Sequence, residues 1–403
     1  MTIHVVGLGI EPGNLSEDAS YIIDNAQVLV GGKRQLAEYE DHPAKKHAVI
    51  SPVEKTLDLI AEEYADNAEI VVLAAGDPLF YGIGSSIVER FGTDDVRIYP
   101  GVTTLQSAAA RLKIPWHDVT TVSLHGRDDY GPLYSALIRA DWVAVYTDDK
   151  NVPSRVAQNV MDKGGDTHAV WVLERLGTDD ERLQRMTLPE AAGSSFAKLN
   201  MVLLERVREP DVRLGLGTPD HLFADCDAPV TKGPIRSVAL ATLRMTADDV
   251  LWDLGAGCGV LGIEASSLCR KGRVYAVEKN ADRVGKIREN VKRSGAYLVE
   301  VVHGTMPRAL SDLPDPDRIF LGGGMSRDGK LLAAACERLK PGGRLVANLV
   351  LMDNLLRAKQ IFASMGWNYF ITLVQASESA DLAWDMHMKA LNPVFIIGAD
   401  KPE

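Results

Sequence analysis

Cysteine is scarce in this 403-residue sequence. The four, Cys226, Cys258, Cys269 and Cys336, include no pair at CxxC spacing. That argues against a zinc ribbon and against a disulfide framework, so four unpaired thiols are expected. Long apolar runs are missing too, and none approaches the roughly 20 residues that cross a bilayer. The first residues, Met1-Thr2-Ile3-His4-Val5-Val6-Gly7, lack a basic region and read directly as a strand. No signal peptide and a cytoplasmic location are therefore expected. Basic patches, internal repeats and low-complexity tracts are absent, and the histidines form no metal-ligand cluster. Neither a nucleic-acid partner, a membrane nor a metal is expected.

Hydrophobic residues make up 46% and charged residues 25%, enough for two globular cores. The net charge of −11 is uneven. Residues 1–205 hold 18 Lys and Arg against 31 Asp and Glu, and residues 206–403 hold 26 against 24. A polyanionic ligand must then be met by a few local cations, not by a global field. Apolar strand-like runs alternate with helical patterns, which predicts an α/β architecture. The runs are Ile3–Val6, Ile70–Ala74, Val143–Tyr146 and Ala169–Leu173, then Val250–Trp252, Arg273–Val277, Arg318–Leu321 and Arg344–Leu349. The charged stretch ending at Pro210 and the turn-rich Gly215-Leu216-Gly217-Thr218-Pro219-Asp220 mark a boundary. We expect one domain over 1–208, with lobes of about 1–114 and 115–208, and another over 209–403.

The strongest local signal is Trp252-Asp253-Leu254-Gly255-Ala256-Gly257-Cys258-Gly259. A short strand ends in an acid and a glycine turn, and a helix pattern begins at Val260. Glycine permits tight turning and close approach of backbone to a ligand. The free N–H groups of the helix start then face that ligand. Nineteen residues beyond Gly259, Glu278 ends a second strand, where a carboxylate accepts hydrogen bonds from ribose hydroxyls. The same segment formally satisfies GxGxxG, so a dinucleotide-dependent oxidoreductase stays open. Asp253 two positions before the first glycine, and the later Leu339-Lys340-Pro341-Gly342-Gly343, favour S-adenosylmethionine instead. Thr231-Lys232-Gly233-Pro234-Ile235-Arg236 stands 24 residues before Gly255, where a lid-like segment would cross the cofactor mouth. Lys232 and Arg236 are candidates for binding substrate carboxylates. Gly322, Gly323 and Gly324 follow a strand and leave room for a bulky flat substrate.

These features resemble the class I (Rossmann-like) methyltransferase fold. Within it, G-T-P-D-x-x-F at 217–223, T-K-x-x-I-R at 231–236 and W-D-L-G-A-G-C-G at 252–259 resemble the decarboxylating precorrin-6B methyltransferase domain. The resemblance implies cofactor contacts at Thr231, Asp253, Gly255, Ala256, Gly257, Cys258, Gly259, Glu278 and Met306. The family often has an acid at position 305, and here it is Thr305.

A different pattern fills the first half. Gly7-Leu8-Gly9 ends a strand, and Gly76-Asp77-Pro78-Leu79-Phe80-Tyr81-Gly82, Pro100-Gly101-Val102-Thr103-Thr104 and Ser123-Leu124-His125-Gly126-Arg127 follow in order. This order resembles the tetrapyrrole methylase family, with a cofactor cleft between two α/β lobes, and most closely its C5-methylating branch. The resemblance implies a cofactor site at Ala75, Gly76, Asp77, Phe80, Thr103 and Thr104. Relatives often have Met where Thr147 stands. Arg111, Arg127 and Arg175 are candidates for neutralising substrate carboxylates, and His125 is a weaker candidate proton acceptor. No triad is present, and no catalytic acid or base is identified.

Both halves point to one pathway from unrelated folds. The combination resembles the precorrin-6B (precorrin-6Y) C5,15-methyltransferase (decarboxylating) family of cobalamin biosynthesis. It implies methylation at C-5 and C-15, loss of the ring C acetate carboxyl, and a product precorrin-8. The cofactor implied is S-adenosyl-L-methionine, leaving S-adenosyl-L-homocysteine, and a homo-oligomer is expected. Another porphyrinoid substrate, an NAD-dependent oxidoreductase and a non-catalytic cofactor sensor are the alternatives.

Overall fold

A computed structural model describes residues 2–11, 15–224, 231–322, 325 and 328–403. The α/β class expected from the sequence is observed. The chain forms two compact units. One comprises Met1–Arg127, Ala144–Ser154 and Val170–Leu204, and the other Asp128–Val143, Arg155–Ala169 and Glu205–Glu403.

The first unit carries a parallel sheet in the order Lys45–Ala48, Val28–Gly31, Ile70–Ala74, Ile3–Gly7, Val96–Tyr99. Strand Ile70–Ala74 is buried at all five positions, as a parallel strand covered on both faces must be. Period-two alternation divides its apolar residues between two cores. Val5, Val30, Ile70 and Val72 enter one, and Val6, Leu29, Val71 and Leu73 the other. A second five-stranded sheet has the order Val119–Ser123, Trp142–Tyr146, Asn200–Arg206, His168–Glu174, Arg182–Thr187.

The main sheet of the second unit has seven strands. Their order is Val299–His303, Arg273–Glu278, Val250–Leu254, Arg318–Leu321, Arg344–Leu349, Val394–Asp400, Asn368–Val374. The first five are parallel, and Val394–Asp400 runs antiparallel to both of its neighbours. The chain winds outward in one direction from Val250–Leu254, then returns and winds the other way from Arg318–Leu321. The crevice at the carboxyl ends of those two strands is the topological switch point, where such sheets bind ligands. One face packs Trp252, Leu254, Ile319, Leu321, Ala347 and Phe362 into a core. The opposite face carries Asp253, Phe320 and Val346, one register position apart from that core.

Cys269 and Cys336 are free and buried. The expectation of four unpaired thiols fails at Cys258, which is disulfide-bonded. Cys226, Gly323 and Gly324 lie outside the described residues. Among the described residues no helix is long and apolar enough to cross a membrane, and no group of three or more His, Cys, Asp or Glu could hold a metal.

The antiparallel extension is fastened by one cross-strand pair. Arg344 and Asp400 are register partners, and Arg344 Nε and Nη2 donate to Asp400 Oδ1 and Oδ2 at 2.6 and 2.8 Å. Arg344 Nη1 also donates to the Thr242 carbonyl at 3.0 Å, tying in helix Gly233–Leu243. A bidentate pair of this kind has fixed geometry and little freedom to relax. Asp400→Ala should lower the stability of this unit by about 1–3 kcal/mol in denaturant titration. An unchanged midpoint would mean that the pair contributes nothing.

Candidate functional site

In the first unit, three loops meet at the carboxyl ends of strands Ile3–Gly7, Ile70–Ala74 and Val96–Tyr99. The chains approach so closely that a Cβ on Gly7 would stand 2.5 Å from the Gly76 carbonyl oxygen and 2.7 Å from the Gly101 nitrogen. No side chain fits there. Gly76 has φ of +65° and exchanges backbone hydrogen bonds with Gly9. Ala75 is exposed beside it. Asp77 Oδ1 accepts from Leu79 N at 2.9 Å and Oδ2 from Gly101 N at 3.4 Å, so this carboxylate ties two loops together. Thr103 caps helix Thr104–Leu112 in a reciprocal capping box with Gln106. The predicted residues Ala75, Gly76, Asp77, Thr103 and Thr104 therefore share one sheet edge. Phe80 packs with Tyr81 and Tyr146, ring centroids 5.1 and 6.0 Å away. Burial pushes the Tyr146 hydroxyl up to about 12, although it bonds the Leu105 N–H and the Thr104 side chain.

The candidate cations of this unit differ. Arg111 binds Glu181 through two hydrogen bonds of 2.8 and 2.9 Å and Glu11 through one of 2.8 Å. It fastens two loops and is not the free, substrate-facing cation the sequence suggests. Arg175, with φ of +51°, pairs with Asp180 at 3.0 Å. Arg127 is exposed, and its guanidinium makes a long contact to the Ser123 carbonyl. The loop that carries it is fixed by Asn151, a residue sequence reasoning missed. Asn151 is fully buried and donates to the Leu124 and Arg127 carbonyls at 2.9 Å. His125 Nδ1 lies 3.2 Å from the Thr147 carbonyl on an exposed loop.

In the second unit the glycine turn forms a pocket at the switch point. Thr231, Arg236, Asp253, Gly255, Ala256, Gly257, Cys258, Phe320 and Gly322 all line it, together with Val260 and Leu261. Six predicted cofactor residues and two predicted substrate residues are thus brought together. Gly259 lies beneath, as the N-cap of helix Val260–Ser266 with φ of +79°. Glu278 is buried, and its Oε2 accepts from Gly257 N at 3.0 Å. Its Oε1 accepts from the Lys279 and Asn280 N–H groups, both at 3.0 Å. The acid assigned to a ribose also shapes the glycine turn. A carboxylate offers about four lone-pair sites, so both roles are compatible. Met306 does not line the pocket but packs at the margin of the hydrophobic core.

Arg236 is fully buried. It donates to Asp220 at 2.8 Å and to the Thr231 and Thr218 carbonyls at 2.7 and 2.6 Å. It also pairs with the fully buried Glu264 at 2.8 Å. These partners correct the expectation of a substrate-facing cation: the charge is neutralised inside the protein, although Nε has no partner among the described residues. Lys232 remains half-exposed, 3.4 Å from Asp220. Glu264 and Asn290 are further residues that sequence reasoning missed. Glu264 accepts from Gly217 N at 3.2 Å. Asn290 binds Ala224 N at 2.7 Å and the Cys258 carbonyl at 3.0 Å, joining the segment that ends at Ala224 to the glycine turn. No motif points to either residue, because each acts through partners remote in sequence.

Asp253 is buried on the pocket wall, and desolvation pushes its carboxyl up to about 7, helped by the nearby Glu278 charge and opposed by the Gly262 N–H. An unfolded aspartate ionises near 3.9. Between about pH 4 and 7 the folded chain therefore keeps a proton that the unfolded chain loses, and stability falls as pH rises. Asp253→Asn, measured by urea unfolding of the ligand-free protein, should remove this fall and gain stability over wild type from pH 4 to 7. Parallel curves for the two proteins would refute a protonated Asp253.

Two family models match the chain in turn. The family model for tetrapyrrole (corrin/porphyrin) methylases matches residues 2–192, and that for the precorrin methyltransferase domain matches 221–396. A precorrin-6Y C(5,15)-methyltransferase (decarboxylating) of Sinorhizobium sp. is 34% identical over 358 residues, 87% of this chain and 84% of the relative. Its counterpart in Mycobacterium tuberculosis (strain CDC 1551 / Oshkosh) is 32% identical over 90% of this chain and 91% of its own. A cobalt-precorrin-7 C(5)-methyltransferase of Salmonella typhimurium is 33% identical over 50% of this chain and 96% of its own. A solved precorrin-6y C5,15-methyltransferase structure from Geobacter metallireducens is 37% identical, covering 46% of this chain and 98% of that one, with a TM-score of 0.44. The chain belongs to the precorrin-6Y C(5,15)-methyltransferase (decarboxylating) family.

Proposed function

We propose that this enzyme methylates precorrin-6B at C-5 and C-15 and removes the ring C acetate carboxyl, giving precorrin-8. Residues 1–208 would act at C-5, and residues 209–403 at C-15 and in the decarboxylation. A cytoplasmic location belongs to the same reading. The observation that carries it is the pair of bare backbone edges, one in each unit, at Gly7, Gly76 and Gly101 and at Gly255, Gly257 and Gly322. In each, glycines at the carboxyl ends of the central strands leave backbone without side chains where a nucleoside cofactor would lie.

When bound, S-adenosylmethionine supplies an activated methyl group on a sulfonium centre. The protein's part is to align, shield and hold charge. In the second unit Glu278 and the glycine turn would take the ribose and Asp253 would face the cationic end, with Thr231 at the mouth. Asp77, Thr103 and Thr104 would line the corresponding edge in the first unit. Of the candidate cations, the exposed Arg127 and Lys232 would take substrate carboxylates. Alignment of reacting groups supplies up to about 7–11 kcal/mol of barrier reduction, which suits a site without a nucleophilic triad. Loss of CO2 leaves an electron pair that the conjugated macrocycle accepts, and a proton then completes the new methyl group.

Calorimetric titration with S-adenosylhomocysteine should give two sites per chain. Glu278→Ala should leave one site and abolish C-15 methylation while C-5 methylation persists. A single site in the wild-type protein would remove the double methylation from this reading.

We also propose that the chain self-associates through the hairpin Ser377–Asp381 and Met386–Ala390. A two-stranded hairpin is marginal by itself in water. Here it stands apart from the main sheet and exposes Leu382, Trp384, Met386 and Met388, Trp384 to 85%. A second copy would cover this apolar surface, closed homo-oligomers being the commonest assemblies. Sedimentation should show an oligomer that Trp384→Glu dissociates. A monomeric wild type at tens of micromolar would exclude it.

A further inference from the structure

Asn348 lies on strand Arg344–Leu349, near the carboxyl end of the sheet. Strand register fixes where it points. Phe320 is opposite Val346, and Leu321 is opposite Ala347. The next pair along is therefore Gly322 and Asn348, and on the neighbouring strand Gly255 stands level with them. Side chains alternate along a strand. Leu345, Ala347 and Leu349 enter the hydrophobic core. Asn348 thus projects from the other face, the face of Asp253 and Phe320, both of which line the pocket. Two strand spacings of about 4.8 Å separate it from the glycine-turn strand. It stands on the Gly322 side of the pocket, away from the glycine turn.

Both polar atoms of this carboxamide are shielded from solvent, and neither has a hydrogen-bond partner among the described residues. Buried polar atoms are nearly always paired, and an unpaired amide destabilises a fold. A leucine of similar volume would serve packing better. A second donor without a partner among the described residues is Nε of the fully buried Arg236, which lines the pocket. A buried amide left without a partner beside a ligand crevice is what a hydrogen-bonding site looks like before its ligand arrives.

We propose that Asn348 is a substrate-binding residue of the second unit, its side-chain NH2 donating to a carboxylate of the tetrapyrrole. This rests on the C-15 methylation and decarboxylation assigned above to residues 209–403. A neutral donor suits a polycarboxylate, because it recognises the anion without a buried counter-charge that must itself be neutralised when the site is empty.

The test uses the full chain and two variants, Asn348→Leu and Asn348→Asp. Melting temperature, S-adenosylhomocysteine stoichiometry, and the C-15 and C-5 methylation of precorrin-6B are measured for each. Asn348→Leu should melt at or above the wild-type temperature and keep every cofactor site. Its kcat/KM at C-15 should fall about ten- to a hundredfold, mainly through KM, with C-5 methylation unchanged. Asn348→Asp should fall further, because it sets a like charge against the carboxylate. A wild-type kcat/KM in Asn348→Leu overturns the proposal, as does a lowered melting temperature with loss of a cofactor site, which would mark a structural amide. If the wild-type protein itself lacks a cofactor site in the second unit, the methyltransferase reading fails, whatever Asn348 does.

Discussion

Both units are governed by one constraint: at the carboxyl edge of a parallel sheet, the loops converge on backbone that carries no side chains. In the first unit, Gly7, Gly76 and Gly101 stand so close that a single Cβ on Gly7 would overlap two backbone atoms. In the second, Gly255, Gly257 and Gly259 all take positive φ. Such a turn is entropically expensive and offers no side chains to pack, so it cannot stabilise itself. The surrounding residues must hold it, and most of the polar architecture around each site serves that end.

In the second unit the holding is done by buried charge. Glu278 clamps the Gly257 N–H, and Asn290 clamps the Cys258 carbonyl. Arg236 gathers Asp220, Glu264 and the carbonyls of Thr218 and Thr231 around one guanidinium. Burying such a charge alone would cost several kcal/mol, and only its two carboxylates and two carbonyls make it tolerable. The arrangement links the segment before the sheet to the helix after the glycine turn. Specificity of position, more than net stability, is what a buried ionic cluster of this kind contributes.

Much of this fold is legible in the sequence because strands buried on both faces are written as unbroken apolar runs. Ile70–Ala74, Arg318–Leu321 and Arg344–Leu349 coincide with the observed strands, and the other runs differ by one or two residues at an end. The glycine turn and its acids are legible because positive φ at Gly255, Gly257 and Gly259 forces residue type at fixed spacing. Charge roles are not. Arg111 follows a helix pattern beside a candidate motif, yet its partner Glu181 is 70 residues away. Arg236 lies inside a family motif, yet it faces four protein acceptors. A sequence shows that a cation is present. Only the fold shows what neutralises it, because pairing depends on register and crossover between remote segments. Asn348 is the extreme case: its position matters only through its level opposite Gly322, which no local pattern encodes.

These pairings bear on how an enzyme with a net charge of −11 meets a polycarboxylate. Arg111 and Arg236 are neutralised by the protein's own acids, and Arg175 is paired with Asp180. Of the five candidate cations, Arg127 and Lys232 are left to answer an external carboxylate, and Lys232 shares Asp220. Long-range attraction is thus weak, and what discriminates must act at contact. Backbone N–H groups and neutral amides do this well: they are directional, they need no counter-ion when the site is empty, and their strength rises once water is excluded. In each unit, a site made of glycine turns and an exposed cation, with an unpaired amide in the second, would therefore select its substrate by the geometry of its carboxylates more than by their number.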